Sequence, residues 1–264
     1  MSAQAQGDHG AHVREPISVN RLPASVIGDV LMKGWKDFLT VPWYGLFFGL
    51  VYAGGGWAVV TLAWASGYYY LAYPLAAGFA LIAPFVAAGL YCVSRSIEAG
   101  TPTNWPLVLR SVCAAGGRDL GWMALVTGFT FFIWMDIAFF LYAAFFGFRA
   151  LSIPDLLSAI LTTSHGALFF AAGNLIGAAI AFFVFSITVV SFPLLLDRDV
   201  DFVTAMITSV RVVKANPATM LLWAITIAVL LALSLASLLA LLIVVLPLLG
   251  HASWHMYRRA IGPA

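Results

Sequence analysis

The sequence predicts an all-α, polytopic transmembrane helical bundle of about six spans, with amphipathic interfacial helices between them. Three observations carry that expectation. The 264 residues are 62% hydrophobic and 9% charged, against about 25% charged in an average soluble domain, so polar surface for a water-soluble shell is lacking. The apolar runs are continuous and reach the roughly 20 residues that a membrane helix needs. In lipid the backbone must satisfy its own hydrogen bonds, which makes such runs helices, and they do not show the ten-residue alternation of a membrane barrel. Finally, twelve of the 13 Lys and Arg residues can be placed on one side of a bilayer.

Residues 1–23 are polar, lack an apolar signal-peptide core, and are expected to form a disordered cytoplasmic tail. Residues 24–264 are expected to form a single transmembrane domain. Spans are expected from about Trp43 to Ala65, Tyr70 to Val93, Gly121 to Phe146 and Ala167 to Leu195. The last apolar stretch, Ala218 to Gly250, would reach about 50 Å as one helix. That exceeds a hydrocarbon core of about 30 Å, so it reads as a hairpin turning near Ser234 to Ser237.

With six spans, Arg14, Arg21, Lys33, Lys36, Arg95, Arg110, Arg118, Arg198, Arg211, Lys214, Arg258 and Arg259 share a side, and only Arg149 lies opposite. The positive-inside rule makes the crowded side cytoplasmic, with both termini there. Five spans would move Arg258 and Arg259 outside. Trp43, Trp122, Trp223 and Trp254 fall near the proposed inner ends, and Trp64 with Tyr68, Tyr69 and Tyr70 near an outer turn, as interfacial aromatic residues do.

Amphipathic stretches precede some of the spans. In Ala24–Phe38 the apolar stripe is Ile27, Val30, Leu31, Gly34, Trp35 and Phe38, with Lys33, Lys36 and Asp37 on the other side. In Asp201–Val213 it is Phe202, Val203, Met206, Ile207, Val210 and Val213, with acids before it and Arg211 and Lys214 closing it, the order that suits a helix dipole. Pro106–Cys113 is a weaker third case. Such helices lie in the interface with basic residues toward anionic lipid, or cap the bundle. The passages ending in Pro42 and Pro217 each lead from a basic amphipathic helix into a hairpin of spans, and the even spans carry Pro84, Pro193 and Pro247. A threefold repeat with a degraded middle copy follows.

Three passages together resemble a known family: Gly34-Trp35-Lys36-Asp37 after a Pro-Ile-Ser-Val segment, Phe192-Pro193-Leu194-Leu195-Leu196-Asp197-Arg198, and Leu246-Pro247-Leu248-Leu249-Gly250-His251-Ala252-Ser253-Trp254-His255. They are similar to a bacterial integral-membrane family, domain of unknown function 2189, over about residues 14 to 260. Some of its members carry the label putative cytochrome c oxidase subunit. The resemblance implies a bacterial inner membrane and at most an association with the respiratory chain. The chain lacks the intramembrane histidines of a haem–copper subunit.

Among residues that could carry chemistry, Asp136 stands out near the middle of the third span. An Asp at a helix centre costs about 2.5 to 3.5 kcal/mol on the insertion scale, offset by the surrounding Phe and Ile. Buried ionisable residues seek partners and often mark ion or proton routes. Asn174, at nearly matching depth in an antiparallel hairpin, is the candidate partner, and a neutral hydrogen-bonded Asp serving as structural glue is the alternative. His251 and His255, at i and i+4, share a helix face and could ligate a metal. No nearby Cys or carboxylate in sequence completes a site, so they read as an interfacial pair beside Trp254 and Arg258. Asp197-Arg198-Asp199-Val200-Asp201 opens like a calcium loop, but Phe202 replaces the required Gly and Thr208 the closing Glu; these acids read as a helix start. Gly45 and Gly49 form a G-x-x-x-G, and Gly173, Gly177 and Ala181 a small-residue stripe. Both read as helix packing, internal or between copies. Cys92 and Cys113 read as reduced core or interface cysteines.

No nucleophile–base pair, metal set or cofactor motif is visible, so neither an enzyme nor a resident cofactor is expected. The expected partners are the lipid bilayer and either another membrane protein, a respiratory complex being implied by the resemblance, or a second copy. A net charge of +2 gives no reason to expect nucleic acid. The function read from the chain is that of a non-enzymatic accessory or scaffold protein. The alternative is a small transporter or channel built on Asp136 and Asn174.

Overall fold

The computed structural model describes residues 17–65, 83–115, 117–148 and 151–262. Among them the regular elements are helices, with one isolated antiparallel bridge between Val19 and Ile261. In order they are α1 (Val26–Thr40), α2 (Pro42–Ala65), α3 (Ala83–Glu98), α4 (Trp105–Ala115), α5 (Arg118–Phe146), α6 (Ile153–Thr162), α7 (Ser164–Thr188), α8 (Ser191–Asp197), α9 (Phe202–Ala215), α10 (Pro217–Ala236) and α11 (Leu242–Ala260).

By length and apolarity three stretches can cross a membrane: Asp119–Phe146, Ser164–Asp197 and Pro217–Ala236. A fourth is added if α1 and the start of α2, which meet at 99°, count as one. The chain is thus a helical integral membrane protein, but the described residues do not supply six spans. The expected span from Tyr70 to Val93 lies largely outside them, with α3 as its inner end. The expected sixth span, α11, falls below the length and apolarity of the other three, yet it runs back beside α10: Asn20 bonds both Asn216 at the start of α10 and Ala260 at the end of α11. After the turn only Leu242–Leu249 is uniformly apolar, about 12 Å of helix, and polar residues follow.

Breaks fall where proline dictates. Pro193 has no N–H to give the carbonyl four residues back, and the expected fourth span stops at Thr188 and restarts at Ser191. The two proline entries noted in sequence share one geometry. Val41 before Pro42 has φ −139° and ψ 66°, and Asn216 before Pro217 has φ −137° and ψ 53°. Both residues leave the α region, which the following proline ring disfavours. The hairpin turn lies slightly beyond the expected place, at Leu238 and Leu239, whose φ values are 52° and 68°. Trp57 of α2 donates its Nε1–H to the Leu238 carbonyl.

α11 is the central element and packs on α1, α2, α3, α8 and α10. Its surroundings are set by missing side chains. A β-carbon on Gly34 would stand 2.7 Å from the Ala252 nitrogen, and one on Gly45 2.6 Å from Phe38 and 2.9 Å from Pro247. One on Gly49 would strike the Ile243 carbonyl. The G-x-x-x-G face of α2 is therefore pressed against α11 of the same chain. Gly173 and Gly177 instead face Leu141 and Trp134 of α5, at 3.5 and 3.1 Å.

Two expectations about faces need correction. In α1 the buried side includes Asp37 with Val30, Gly34 and Phe38, while Trp35 is exposed. Close contact of Gly34 with α11 decides which face turns inward. Trp223 and Trp254, expected at the interface, are fully buried, whereas Trp43 is 74% exposed. α5 stands apart from this core: 6% of its span is buried inside the chain.

Candidate functional site: a buried polar cluster at one end of the bundle

α11 changes character after Gly250. Beyond it, polar side chains are turned into protein rather than lipid. His251 is fully buried, with Nδ1 2.8 Å from Ser94 Oγ of α3. Ser94 donates to Asp37 Oδ2 of α1 at 2.8 Å. His255, one turn on, brings Nε2 to 2.7 Å from the same oxygen. A serine has one proton to give. Donation to Asp37 makes Ser94 the acceptor toward His251, which places the proton of that ring on Nδ1. His251 Nε2 is left as a buried acceptor without a partner among the described residues.

The electrostatics follow from burial and these bonds. Burial works to raise the Asp37 carboxyl, but hydrogen bonds from His255 and Ser94 prevail and hold it below its ordinary value. Burial pushes His251 down to about 4, against an opposing pull from Asp37, so the ring is neutral at pH 7. Ser94 is itself fully buried. Its hydroxyl ties three helices together.

A second tier continues outward. Tyr257 donates to Asp197 Oδ2 at 2.7 Å, and burial, aided by that carboxylate, raises its phenol further above the ordinary value. Arg95 Nε lies 3.4 Å from Asp197 Oδ1, and Arg258 Nη1 3.6 Å from Oδ2. Arg258 Nε also donates to Glu98 Oε1 at 3.1 Å, whose Oε2 accepts from Trp254 Nε1 at 3.1 Å. Arg198 donates to the Gly262 carbonyl at 2.6 Å. The segment before α1 and the one after α11 join here: Asn20 N–H donates to the Ala260 carbonyl at 2.9 Å and Gly262 N–H to that of Ser18 at 3.2 Å.

The three passages that carry the family resemblance thus meet at this end of the fold. Gly34 and Asp37 touch Ala252 and His255, and Asp197 holds Tyr257. The histidine pair belongs to the cluster, with His251 buried and His255 half-buried, and a carboxylate 218 positions away in sequence does reach it. Among the described residues no group of three or more His, Cys, Asp or Glu side chains is arranged to hold a metal. Asp201 caps α9, accepting from Thr204 N at 2.9 Å, as the helix-start reading has it. Cys92 and Cys113 are free thiols.

Asp136 and Asn174 are not brought together. Asn174 Nδ2 donates to the Phe170 carbonyl of its own helix at 2.7 Å. It lines a shallow groove with Trp134, Ala138, Leu141 and Gly173. Asp136 lies about 200° around α5 from Trp134 and Ala138 at 3.6 residues per turn. It is exposed and has no hydrogen bond or ion pair with any described residue. The roles of Asp37 and Ser94 were not found in sequence. For Asp37 the signal was its place three residues after Gly34, on the same helical side; for Ser94 there was none.

Residues 72–197 match the model of a family described as predicted integral membrane protein, domain of unknown function 2189, the family that the sequence resembles. The match includes Ser94, Glu98 and Asp197 but neither Asp37 nor the histidines. No curated protein and no solved structure matches the chain significantly.

Proposed function

We propose that the chain is a non-enzymatic accessory or scaffold protein of a bacterial inner membrane, which docks on another membrane protein through α5. The observation that carries this reading is Asp136. Four residues from the middle of α5, it lies about 6 Å from the helix centre at 1.5 Å per residue, well inside the apolar zone. It is exposed among Phe129, Phe132, Ile133, Phe139 and Phe140, which are exposed as well. A carboxylate facing lipid at that depth carries a cost of about 2.5 to 3.5 kcal/mol. A neighbouring helix that offers a hydrogen-bond donor or a cation relieves it.

The polar cluster supports the non-enzymatic part. Its groups bond to one another and serve to join α1, α3, α8 and α11. The separation of Asp136 from Asn174 speaks against a transport site shared by the two. The pairing of residues 18–20 with 260–262 supports an even number of crossings between them, and the one-sided Lys and Arg distribution supports a cytoplasmic location for both segments. Met32, Trp35 and Leu39 are exposed on α1 near Lys33 and Lys36, which suits a helix lying in the interface. A respiratory complex such as cytochrome c oxidase is the partner to test first.

The test is a gentle-detergent pull-down of tagged chain from its native membrane, with mass spectrometry and an absorption spectrum of the eluate. Wild type is expected to carry a membrane protein in fixed stoichiometry, with haem bands if that partner is an oxidase. Asp136→Leu is expected to stay folded and to lose at least about tenfold of the partner, a difference of about 1.4 kcal/mol. A partner-free wild type, or equal recovery by Asp136→Leu, contradicts the proposal.

A further inference from the structure

Beside the buried cluster a cleft of about 220 Å³ opens between the segment before α1, α1 itself, the end of α3 and the last turns of α11. Asn20, Lys33, Glu98, His255, Arg258 and Arg259 line it. Three of these side chains are permanent cations and one is a carboxylate. That carboxylate is already engaged: Glu98 accepts from Arg258 and from Trp254.

The donors left over point at an anion. Lys33 has no hydrogen bond or ion pair with any described residue, so its ammonium keeps all three donors. Arg259 has only a 3.9 Å approach to Asp29, with both side chains about half exposed, a contact worth little in water. Arg258 spends Nε and Nη1 on Glu98 and Asp197 and keeps Nη2. His255 gives its Nε2 proton to Asp37, and the other nitrogen of a neutral imidazole is an acceptor, so His255 adds no donor. Asn20 Nδ2 donates to the Arg259 carbonyl at 3.1 Å and so fixes one wall.

Guanidinium groups match a phosphate with two parallel N–H donors, and lysine adds a point charge. An excess of cations over carboxylates, concave shape and uncommitted donors together select a small polyoxygen anion. The cleft lies at the basic end of the fold, where the interfacial α1 begins.

We propose that this cleft binds phosphate, either in the headgroup of an anionic phospholipid or in a soluble phosphate ester. It is independent of the α5 face. His255 lies at its floor and joins it to Asp37, Ser94 and His251, so an anion there touches the bonds that hold α1, α3 and α11.

Two arms test it on the full chain. In detergent, thermal unfolding is followed with inorganic phosphate against sodium chloride of equal ionic strength. In nanodiscs of phosphatidylcholine with or without phosphatidylglycerol, native mass spectrometry reads the lipid retained on release. The variants are Lys33→Gln and Lys33→Gln/Arg259→Gln, both at exposed side chains. The control is Arg211→Gln/Lys214→Gln, exposed cations on α9. Phosphate stabilisation identifies a soluble ester, and retained phosphatidylglycerol identifies a headgroup. In either positive arm the double variant is expected to weaken binding at least about tenfold, with the control unchanged. Absence of both responses in wild type overturns the proposal, as does an equal loss in the control, which would mark mere surface charge.

Discussion

Asp37→Ala is expected to destabilise the folded chain by about 2 to 3 kcal/mol, the scale on which losing hydrogen bonds to a charged group and leaving their buried donors unpaired acts. The carboxylate accepts from Ser94 and His255 through one oxygen, and its loss strands both donors in protein. Asp37→Asn keeps one carbonyl acceptor and costs less. The measurement is the unfolding midpoint in detergent by circular dichroism. Acid acts on the same cluster. The folded Asp37 carboxyl lies below its unfolded value of 3.8, so its contribution is present above that value and is lost as pH falls through the folded one. His251 adds to the loss at higher pH: the unfolded ring takes its proton near 6.5, while the buried ring resists to about 4. Stability therefore declines as pH falls from about 6.5 toward 4, because the unfolded state binds more protons there. An Asp37→Ala protein as stable as wild type, with a midpoint flat across that window, would show that the cluster does not hold the helices.

Gly49→Val is the second large effect. Its β-carbon meets the Ile243 carbonyl of α11, a backbone atom that no rotamer change can move aside. α2 and α11 must separate, at an expected cost of about 2 to 3 kcal/mol for overpacking. Gly54→Val provides the internal contrast. It lies on the same helix, but a β-carbon there has no atom within 4 Å, and its effect is expected to stay within about 0.5 kcal/mol. Thermal unfolding of the two variants side by side separates helix packing from helix propensity, since both replace a glycine with the same β-branched residue. Equal midpoints would contradict the close α2–α11 contact.

The helical membrane class was legible because apolar runs and charge placement are local properties of the chain. The boundary near Pro193 was hidden within a longer expected span, although proline chemistry explains it. The return of α11 beside α10 was legible in the continuing apolar run, but the character of its second half was not. Its second half holds His251, Trp254 and Tyr257, which only tertiary packing can bury. The same limit governed α1. Helical spacing put Asp37 among the polar residues, and contact of Gly34 with Ala252 decided that this side turns inward. For Asp136 and Asn174, sequence position gave comparable depth but not rotation about the helix axis. The structure turns one toward the groove beside α7 and the other away from the bundle.

The most direct measurement is photo-crosslinking from position 140, an exposed phenylalanine one turn beyond Asp136 on α5. A benzophenone amino acid placed there in the full chain, with Asp136 intact, is irradiated in native membranes. Docking through α5 predicts a discrete protein adduct from position 140, identifiable by mass spectrometry, and none from exposed Phe183 on α7. Lipid adducts alone at position 140 would contradict it and leave Asp136 facing the bilayer.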